Sequence, residues 1–466
     1  MSTPVLTSDA LLEARRLLAL ASGHALSAAI GRGTGRLLPE LERHERWPHD
    51  QMRAWQAARL AELVEHALRH VPYYRERLST RSGGGLRIRD MDELSALPVL
   101  SKDDVRDAGE AMFATDRERA VRTCATSGST GRPLVIAQDR VTEQWVRAAQ
   151  RRAFRWFHVD PLEPRVFLLS APQSGRVKLR ARAIDLATGR RLFQFHDLSP
   201  ERMREVAAFI REYRPSFVTA YPSVLHRLCW VCAEDGIDLR DAGVRLLHTQ
   251  SEALADIHVE SFRRVFGDVP VLNEYGCVEV GAMAHSCPHG RLHPAHDSVV
   301  VEVVDDDGRP VGPGESGRVL LTPLHARAMP LLRYDVGDRA VLAPEDRCPC
   351  GRFAGLPLIE RLDGRTFDRI LGVGGRVFSG GIVHFLVRKS GLVGALREYL
   401  AVQREIGSLH FDVVVGDAPI DDVERRLGAA AREVFGDSVR VTVEGVRELP
   451  AQRRKKRAYF ISELAA

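Results

Sequence analysis

Cysteine is sparse in this chain, with seven in 466 residues. So few cysteines exclude a disulfide scaffold, and a local cluster of them is better interpreted as a metal-binding or catalytic site. Long apolar runs are missing too, because no stretch reaches the roughly 18 uncharged residues that a membrane-spanning helix needs. The longest candidate, residues 17–30, contains a histidine and two serines and follows an acidic residue, which disfavours a signal peptide. These absences predict a cytoplasmic protein without a membrane span.

An excess of one charge is also lacking. The 67 basic and 62 acidic residues leave a formal net charge of +5, which is small for this length and spread along the chain. A nucleic-acid-binding protein usually concentrates its basic residues in one patch, so no nucleic-acid partner is expected. With 44% hydrophobic and 28% charged residues, the chain has the composition of a globular protein of two or three domains.

Lysine is the scarcest charged residue, since only five of the 67 basic residues are lysines. The codon bias of a GC-rich genome explains most of this composition. Arginine is a rigid planar fork, however, whereas lysine is a compact charge on a flexible stem. Each remaining lysine is therefore a candidate for a position where arginine would not serve. The five are Lys102, Lys178, Lys389, Lys455 and Lys456.

Hydrophobic periodicity divides the chain into regions. Residues 1–115 have apolar residues mostly at helical spacing, and after residue 120 short β-rich runs alternate with helical stretches, which is typical of an α/β sheet with helical crossovers. Beyond residue 364 the chain is glycine-rich, and a strand, a helix at 420–435 and another strand follow. We therefore predict a large α/β, multi-sheet N-terminal domain over residues 1–363 and a small α+β C-terminal domain over residues 364–466.

The most distinctive local pattern is Thr-Ser-Gly-Ser-Thr-Gly-Arg-Pro at residues 126–133. Its two glycines permit a tight turn, its four hydroxyls offer donors, and successive backbone N–H groups in such a loop form a cradle for anions. The pattern is not that of the Walker P-loop. A plain linker has a similar composition, but this loop lies between two predicted strands, at 121–125 and 134–137, which is a turn position.

Two further patterns fit a nucleotide site. In Tyr275-Gly-Cys-Val-Glu279, which directly follows a predicted strand, the ring can stack on a base, the glycine permits close approach and the glutamate can hold Mg²⁺. In Arg333-Tyr-Asp-Val-Gly-Asp338, an aspartate in a tight turn can accept hydrogen bonds from both ribose hydroxyls, although a simple Asp turn has the same residues.

These patterns, followed by Gly364-Arg365 and a C-terminal lysine, resemble in their order the adenylate-forming superfamily of acyl- and aryl-CoA ligases, peptide-synthetase adenylation domains and luciferases. The resemblance covers residues 120–466. The helical Val71-Pro-Tyr-Tyr, the glycine-rich loop and Tyr221-Pro-Ser are most similar to the phenylacetate–CoA ligase-like branch. The resemblance implies that the C-terminal domain rotates between two half-reactions, with the glycine-rich stretch at 364–381 as its hinge.

The resemblance also implies roles for the motif residues. The loop would bind the phosphates of ATP, residues 251–253 would contact adenine, and Arg365 would reach from the hinge toward the nucleotide. The implied nucleotide-binding residues are Thr126, Ser127, Gly128, Ser129, Thr130, Gly131, Ser251, Glu252, Ala253, Tyr275, Gly276, Asp338 and Arg365. The implied catalytic residues are Thr130, Lys456 and Glu279, which would also bind Mg²⁺. This chain departs from many relatives at Leu134, where they have lysine, and at Phe367, where they have an acidic residue.

The implied catalytic lysine lies in the basic run 453–457. Such a run can also be interpreted as a nucleic-acid patch, but it lacks interleaved aromatic residues and enters a predicted strand. In relatives a lysine in this place bridges the substrate oxygen and the α-phosphate, which stabilises charge during the in-line transfer. Counting from Pro450 and back from Tyr459 selects Lys456, and Lys455 is the alternative.

A separate group of cysteines and histidines occurs at 287–293 and 348–351. Cys-x-Cys-Gly on a tight turn places two thiolates on one ion, and a distant cysteine and histidine complete a tetrahedral site. The resembling branch also includes members with zinc in this place. The alternatives are His289 as the imidazole ligand, or free cysteines near the surface. We predict structural Zn²⁺ on Cys287, His293, Cys348 and Cys350.

The remaining cysteines, histidines and pocket segments are interpreted from their predicted position in the fold. Cys229 and Cys232 fall on a predicted helix, where thiols at this spacing face the core. His226 and His248 are interpreted as structural, and His285 is a further candidate for substrate contact. We expect the acceptor pocket to draw on residues 221–225, 251–253 and 276–281.

The predicted activity is that of an ATP-dependent, AMP-forming ligase. An aryl or acyl carboxylate attacks MgATP at the α-phosphorus, pyrophosphate leaves, and the acyl-AMP is transferred to CoA. The alternatives are transfer to an amine, activation of nitrite for N–N bond formation on an aromatic amine, or a non-catalytic nucleotide-binding scaffold. The expected cofactors and co-substrates are ATP, Mg²⁺, structural Zn²⁺ and CoA, and a homodimer is left open.

Overall fold

The fold is given by a computed structural model. It describes residues 8–29, 33–79, 88–116, 122–125, 134–168, 185, 188–193, 198–344, 347–365, 369–379, 382–416, 418–449 and 459–464. Within these residues the strands form an eleven-stranded mixed sheet, a four-stranded sheet and two two-stranded ribbons. The predicted fold class, a large α/β part followed by a small α+β part, is confirmed.

The first part of the chain is helical, as predicted. Its helices are α1 (Ser8–Ala29), α2 (Leu38–His44), α3 (His49–His70), α4 (Pro72–Ser79) and α5 (Lys102–Ala108). α3 ends at Val71, which is extended (φ −108°) because a residue before proline disfavours the helical region. α5 begins with a capping box, in which Ser101 and Asp104 each accept a hydrogen bond from the other's backbone N–H.

The first ribbon flanks the glycine-rich loop. It pairs β1 (Arg122–Ala125) with β2 (Val135–Gln138), with Ala125 opposite Val135, so the two predicted strands are present on either side of the loop. β2 leads into α6 (Arg140–Arg155), whose N-terminus is capped by the carboxylate of Asp139.

The large sheet is parallel in one half. The parallel strands are β3 (Arg165–Leu168), β4 (Arg190–Phe193), β5 (Phe217–Ala220), β6 (Leu246–Gln250) and β7 (Val271–Cys277), in the order β4-β3-β5-β6-β7. Between these strands the chain forms α7 (Pro200–Tyr213), α8 (Pro222–Glu234) and α9 (Asp256–Phe266). Helical crossovers are needed because parallel neighbours cannot be joined by a tight turn.

The other half of the large sheet is antiparallel. It consists of β8 (Gly281–Ser286), β9 (Leu292–Pro294), β10 (Val299–Val304), β11 (Ser316–Pro323), β12 (Tyr334–Leu342) and β13 (Ile359–Arg365), in the order β8-β9-β13-β12-β11-β10. β7 joins the two halves, since it is parallel to β6 and antiparallel to β8. Ligands of open α/β sheets bind outside the carboxyl ends of the parallel strands, which end beside this junction.

The C-terminal part forms its own sheets. Its elements are β14 (Arg369–Leu371), β15 (Val377–Ser379), α10 (Ile382–Lys389), β16 (Leu396–Gln403), β17 (Ser408–Val415), α11 (Ile420–Phe435), β18 (Arg440–Gly445) and β19 (Phe460–Ser462). The four-stranded sheet has the order β18-β17-β16-β19, and α11 has the bounds that the sequence predicts. Because β13 continues to Arg365 within the large sheet, the domain boundary at residue 364 stays a prediction.

The parallel strands are covered by an apolar core from α7, α8 and α9. Cys229 and Cys232 of α8 belong to this core and are 1% and 0% exposed, so they pack as the sequence predicts. Burial raises the pKa of the Cys232 thiol to about 12, which keeps it protonated and unreactive. None of the helices in the described part of the chain is both long and apolar enough to cross a membrane.

A buried arginine connects the helical region to the antiparallel strands. The guanidinium of Arg333 is 2% exposed, lies 3.0 Å from the carboxylate of Glu302 and donates to the carbonyl oxygens of Leu97 (2.8 Å), Ser95 (3.2 Å) and Gly308 (2.6 Å). Arginine is suited to this position because its planar fork offers five N–H donors without losing its charge.

We predict that Arg333→Met lowers the free energy of unfolding by about 3–5 kcal/mol, because it leaves the carboxylate of Glu302 buried without its cation. Urea unfolding followed by circular dichroism measures this change. The matched control is Arg309→Met, since the Arg309–Asp307 pair is exposed (76% and 70%) and its loss should cost under about 0.5 kcal/mol. Equal effects of the two substitutions would contradict the assignment.

Candidate active site

Two of the predicted nucleotide-binding side chains meet in the large sheet. The hydroxyl of Tyr275, on β7, donates a hydrogen bond of 2.9 Å to Oδ2 of Asp338, on β12. Three other strands separate β7 from β12 in the sheet order, so the antiparallel half must curve strongly to bring them together. Tyr275 is 8% exposed, and the bond therefore fixes the orientation of its ring.

Asp338 lies inside β12, so the prediction of a tight turn at this aspartate is wrong. The pairing of β11 with β12 shifts at this point, because Arg318 faces Arg339 whereas Leu320 faces Asp335. Residues 336–338 therefore form a bulge, with φ of 79° at Gly337. A bulge re-aims a side chain within a strand, and here it turns Asp338 toward Tyr275. β7 also continues through Tyr275 to Cys277, so the tyrosine motif extends its strand instead of following it.

Gly276 allows the β7–β8 hairpin to close. A Cβ atom at Gly276 would lie 2.7 Å from the backbone oxygen of Gly281, a distance at which no side chain fits. The hairpin carries Tyr275 on its first strand and Glu279 in its turn. Glycine at this position is therefore needed to hold both motif residues in place.

Glu279 forms a second polar group at the end of this hairpin. Its side chain is buried, and Oε1 accepts a hydrogen bond of 3.2 Å from the hydroxyl of Tyr334. Burial and the nearby charge of Glu279 raise the pKa of Tyr334, which keeps its hydroxyl protonated as the donor. Among the described residues, Oε2 of Glu279 has no hydrogen-bond or ion-pair partner. A carboxylate oxygen is the ligand type that Mg²⁺ prefers, so the side chain fits the predicted metal role.

Lys102, which no sequence motif identified, lies close to Glu279. Its ammonium lies 3.9 Å from Oε1 of Glu279. Leu100 fixes this position, because its N–H donates to the carbonyl oxygen of Arg333 and its own carbonyl oxygen accepts from the N–H of Asp335. The contact joins residues far apart in sequence, so only the scarcity of lysine pointed to this position.

Most of the predicted phosphate-binding and catalytic side chains lie outside the described residues. These are Thr126, Ser127, Gly128, Ser129, Thr130, Gly131 and Lys456, with its alternative Lys455. The backbone of Arg365 pairs with Asp338 in the β12–β13 register. The roles predicted for the loop residues 126–131, for Lys456 and for Arg365 therefore stay predictions.

The predicted adenine-contacting segment follows the carboxyl end of β6. Ser251 has a positive φ of 71°, and Glu252 accepts a hydrogen bond of 3.1 Å from the N–H of Ser223 at the start of α8. Ala253 is exposed. The segment therefore presents its backbone beside the carboxyl ends of β5 and β6, where a ligand is expected.

The C-terminal sheet contacts the start of two helices at this same edge. Tyr459, three residues after Lys456, forms a hydrogen bond of 2.6 Å with Nε2 of His258 on α9. His226 on α8 contacts the backbone oxygen of Arg397 on β16. Tyr459 therefore lies beside the edge at which the parallel strands end.

The structure brings together the four predicted zinc ligands. Their ligand atoms all lie within 4.8 Å of one another, with 3.5 Å between the sulfurs of Cys287 and Cys348 and 3.4 Å between the sulfur of Cys350 and Nε2 of His293. Sulfurs in a tetrahedral zinc site are separated by about 3.8 Å, because Zn–S bonds measure about 2.3 Å. His293 is fully buried whereas His289 is exposed, so the geometry favours His293.

The chemistry of this cluster also fits a metal. Burial opposes ionisation of the Cys350 thiol, but the contact with His293 outweighs it and lowers the pKa to about 6. The thiolate is the form of cysteine that binds metals. The cluster joins β8 and β9 to the loop after β12, so an ion here would connect two parts of the sheet without a position for substrate.

The predicted histidines lie near the parallel strands. His285 is buried opposite Glu274 in the β7–β8 register, and His248 is buried on β6. Tyr221 lies between β5 and α8, and its role in the acceptor pocket stays a prediction.

The chain is similar to known proteins over most of its length. The sequence profile of the AMP-binding enzyme family matches residues 85–323. The chain is 26% identical over 432 residues to the phenylacetate-coenzyme A ligase of Thermus thermophilus, covering 87% of this chain and 94% of that protein. It is 26% identical over 344 residues to the phenylacetate-coenzyme A ligase of Escherichia coli, covering 71% of this chain and 74% of that protein.

Solved structures share the fold. The 2-hydroxyisobutyryl-CoA ligase, in its postadenylation state, superimposes with a TM-score of 0.72 at 19% identity, covering 91% of this chain and 92% of that chain. The anthranilate CoA ligase AuaEII superimposes with a TM-score of 0.50 at 19% identity, covering 73% of this chain and 66% of that chain.

We predict that protein purified without chelator contains about one zinc ion per chain, bound by the four-ligand cluster. Cys348→Ser should remove the zinc and lower the melting temperature, and metal analysis by mass spectrometry measures the content. His66→Gln is the control, because it disrupts a more exposed trio of His66, His70 and Asp116 and should leave the zinc content unchanged. Protein that carries no zinc would contradict the prediction.

Proposed function

Because the chain belongs to the AMP-binding enzyme family, in the phenylacetate–CoA ligase-like branch of the adenylate-forming superfamily, and is an AMP-forming ligase, we propose that it activates a carboxylic acid as acyl-AMP and then transfers the acyl group to CoA. The contacts between the two nucleotide motifs support the proposal, since Tyr275 bonds to Asp338 and Glu279 accepts from Tyr334.

In the first half-reaction, a carboxylate oxygen of the acid bonds to the α-phosphorus of ATP. The bond from that phosphorus to the β-phosphate oxygen breaks, and pyrophosphate leaves with the electron pair. The protein supplies positioning and charge stabilisation and needs no covalent intermediate. In the second half-reaction the CoA thiol attacks the acyl carbon, AMP leaves, and the thiol proton is lost.

Among the described residues, Tyr275 and Asp338 would bind the nucleoside of ATP, and Glu279 and Lys102 would lie beside its phosphates. Tyr275 presents a ring whose orientation is fixed by Asp338, and Asp338 would accept from the ribose hydroxyls. Glu279 would hold Mg²⁺, which neutralises phosphate charge when bound. We assign Lys102 to the same phosphates, because its ammonium is the nearby cation on the Glu279 side of the site.

Transfer to CoA is supported by the relatives. The phenylacetate-coenzyme A ligases that align with most of this chain use CoA by name, and the 2-hydroxyisobutyryl-CoA ligase shares its fold over 91% of the chain. Transfer to an amine and activation of nitrite are the alternatives that the assay below includes. The cytoplasmic location and the homodimer stay predictions.

The C-terminal part is proposed to rotate between the two half-reactions. β13 ends at Arg365 directly beside Asp338, so the proposed hinge at 364–381 begins at the ribose-binding strand pair. The polar contacts of Tyr459 with His258 and of Arg397 with His226 can be exchanged for water when the sheet moves.

We predict that pyrophosphate release from MgATP requires an acid and falls at least 100-fold in Lys456→Ala, because that ammonium stabilises only the transferring phosphoryl group. The assay compares aryl acids, fatty acids and nitrite, each with and without CoA or an amine. Lys455→Ala is the matched variant and should keep near-normal rates. Release that depends on Lys455 would exchange the two assignments, and no release with any substrate would contradict the proposed function.

We further predict that Lys102→Met lowers kcat/KM for pyrophosphate release by about 10- to 100-fold, since it removes one cation from the phosphate site. Lys102→Arg should recover part of the loss. Lys389→Met is the control, because Lys389 is an equally rare lysine whose ammonium lies 2.7 Å from Glu433 in the C-terminal part. A Lys102→Met enzyme with unchanged kcat/KM would remove Lys102 from the site.

A further inference from the structure

A buried carboxylate with two histidines lies beside the nucleotide residues. Glu274, which directly precedes Tyr275 on β7, is 8% exposed, and His248 and His285 are 3% and 1% exposed. Nε2 of each histidine lies 3.5 Å from Oε2 of Glu274. The amide of Gln150, on α6, donates a hydrogen bond of 2.7 Å to the same oxygen. We call these four residues the Glu274 cluster.

The strand register places the Glu274 cluster at the carboxyl edge of the parallel strands. Glu274 pairs with Gln250, the last residue of β6, and His248 pairs with Thr219 near the end of β5. The predicted pocket segments at 221–225 and 251–253 follow these two strands directly. The acid must lie at this edge to reach the α-phosphorus of a nucleotide held by Tyr275, so the cluster is close to the acid.

The carboxylate of Glu274 is ionised in this environment. Burial by itself raises its pKa, but His248 and His285 outweigh that effect and hold the pKa well below its usual range. All described contacts of the carboxylate fall on Oε2, and Oε1 has no partner among the described residues. Oε1 is therefore the oxygen that is left to accept a hydrogen bond from water or from a ligand.

A purely structural role explains this cluster less well. Apolar side chains of similar volume usually give equal or greater stability than a buried charge with its partners. At 3.5 Å, the two imidazole contacts are long for hydrogen bonds, and neither buried Nε2 atom has a well-formed partner. Gln150 is half-buried, so the cluster is not sealed on that side. Unused donors and acceptors at the edge of a sheet are typical of a site that binds a polar group.

We propose that the Glu274 cluster selects acids that carry an amino or hydroxyl substituent, which donates a hydrogen bond to Oε1 of Glu274. This inference rests on the proposed function and assigns the substrate class of that same site. A methyl group of similar volume would leave the carboxylate oxygen without a donor, so the site would reject it. The ring of Phe154, 4.9 Å from the ring of His248, provides an apolar wall beside the cluster.

The test begins with the wild-type enzyme and sets of aromatic and aliphatic acids that differ only in an amino, hydroxyl or methyl substituent. Pyrophosphate release gives kcat/KM for each acid. We expect the best amino or hydroxyl acid to exceed its methyl counterpart by on the order of 100-fold or more, because sites built around a substrate hydrogen bond discriminate strongly. The amino and hydroxyl sets show which of the two donors is preferred.

Two substitutions test whether Glu274 causes the preference. Glu274→Leu should reduce the discrimination to a few-fold, with the affinity for ATP unchanged in calorimetry. Glu274→Gln keeps the shape and an acceptor oxygen but loses the charge, so an intermediate preference is expected. Glu163→Gln is the matched control, because Glu163 is also buried (1%) but lies just before the first residue of β3, at the opposite edge of the sheet. It should leave the discrimination intact even where stability falls.

The outcomes separate this inference from the proposed function. Equal kcat/KM for donor-bearing and methyl acids, or a preference that persists in Glu274→Leu, overturns the inference and leaves acid activation standing. If no acid in the panel gives pyrophosphate release, both the inference and the proposed function are overturned. If Glu274→Leu fails to fold, the wild-type panel together with Glu274→Gln still decides the question.

Discussion

The buried guanidinium of Arg333 is the interaction on which the placement of the site depends. It binds two carbonyl oxygens of the helical region, one carbonyl oxygen in the turn after β10 and the carboxylate of Glu302 on β10, so four partners from two separate parts of the chain meet at one charge. The next residue, Tyr334, donates a hydrogen bond to Glu279. The backbone of Leu100 is hydrogen-bonded to Arg333 and Asp335, which fixes the start of α5 and with it Lys102. Water cannot replace these donors in the interior, and the segments are therefore held in one arrangement before any ligand binds.

The sequence predicted those features that depend on near neighbours along the chain. The bounds of α11 follow from its helical periodicity, and the strands on either side of the glycine-rich loop follow from their flanking patterns. The cysteine knuckle at 348–350 follows from the Cys-x-Cys-Gly turn. The sequence favoured His293 and kept His289 as the alternative, and burial now supports that preference: His293 lies on β9 opposite His285, whereas His289 is in an exposed turn.

Features that depend on distant strands could not be predicted. Asp338 reaches Tyr275 only because β12 bulges against β11 and the antiparallel half of the sheet curves, and neither event has a signature in the local sequence. The Glu274 cluster draws on α6, β6, β7 and β8, and its histidines resembled ordinary core histidines in sequence. Lys102 was marked only by the rarity of its residue type. In each case the missing information is the register between strands or the docking of a helix.

The close contact at Gly276 has a consequence for the evolution of this enzyme. The ring proposed to stack on adenine and the carboxylate proposed to bind the metal are carried by one short hairpin, and that hairpin closes only because a hydrogen atom stands where any other residue would place a carbon. A single codon change at this position would therefore shift the hairpin that carries both Tyr275 and Glu279. Descendants of such a chain can vary the surrounding pocket, and so their substrates, far more freely than they can vary this glycine.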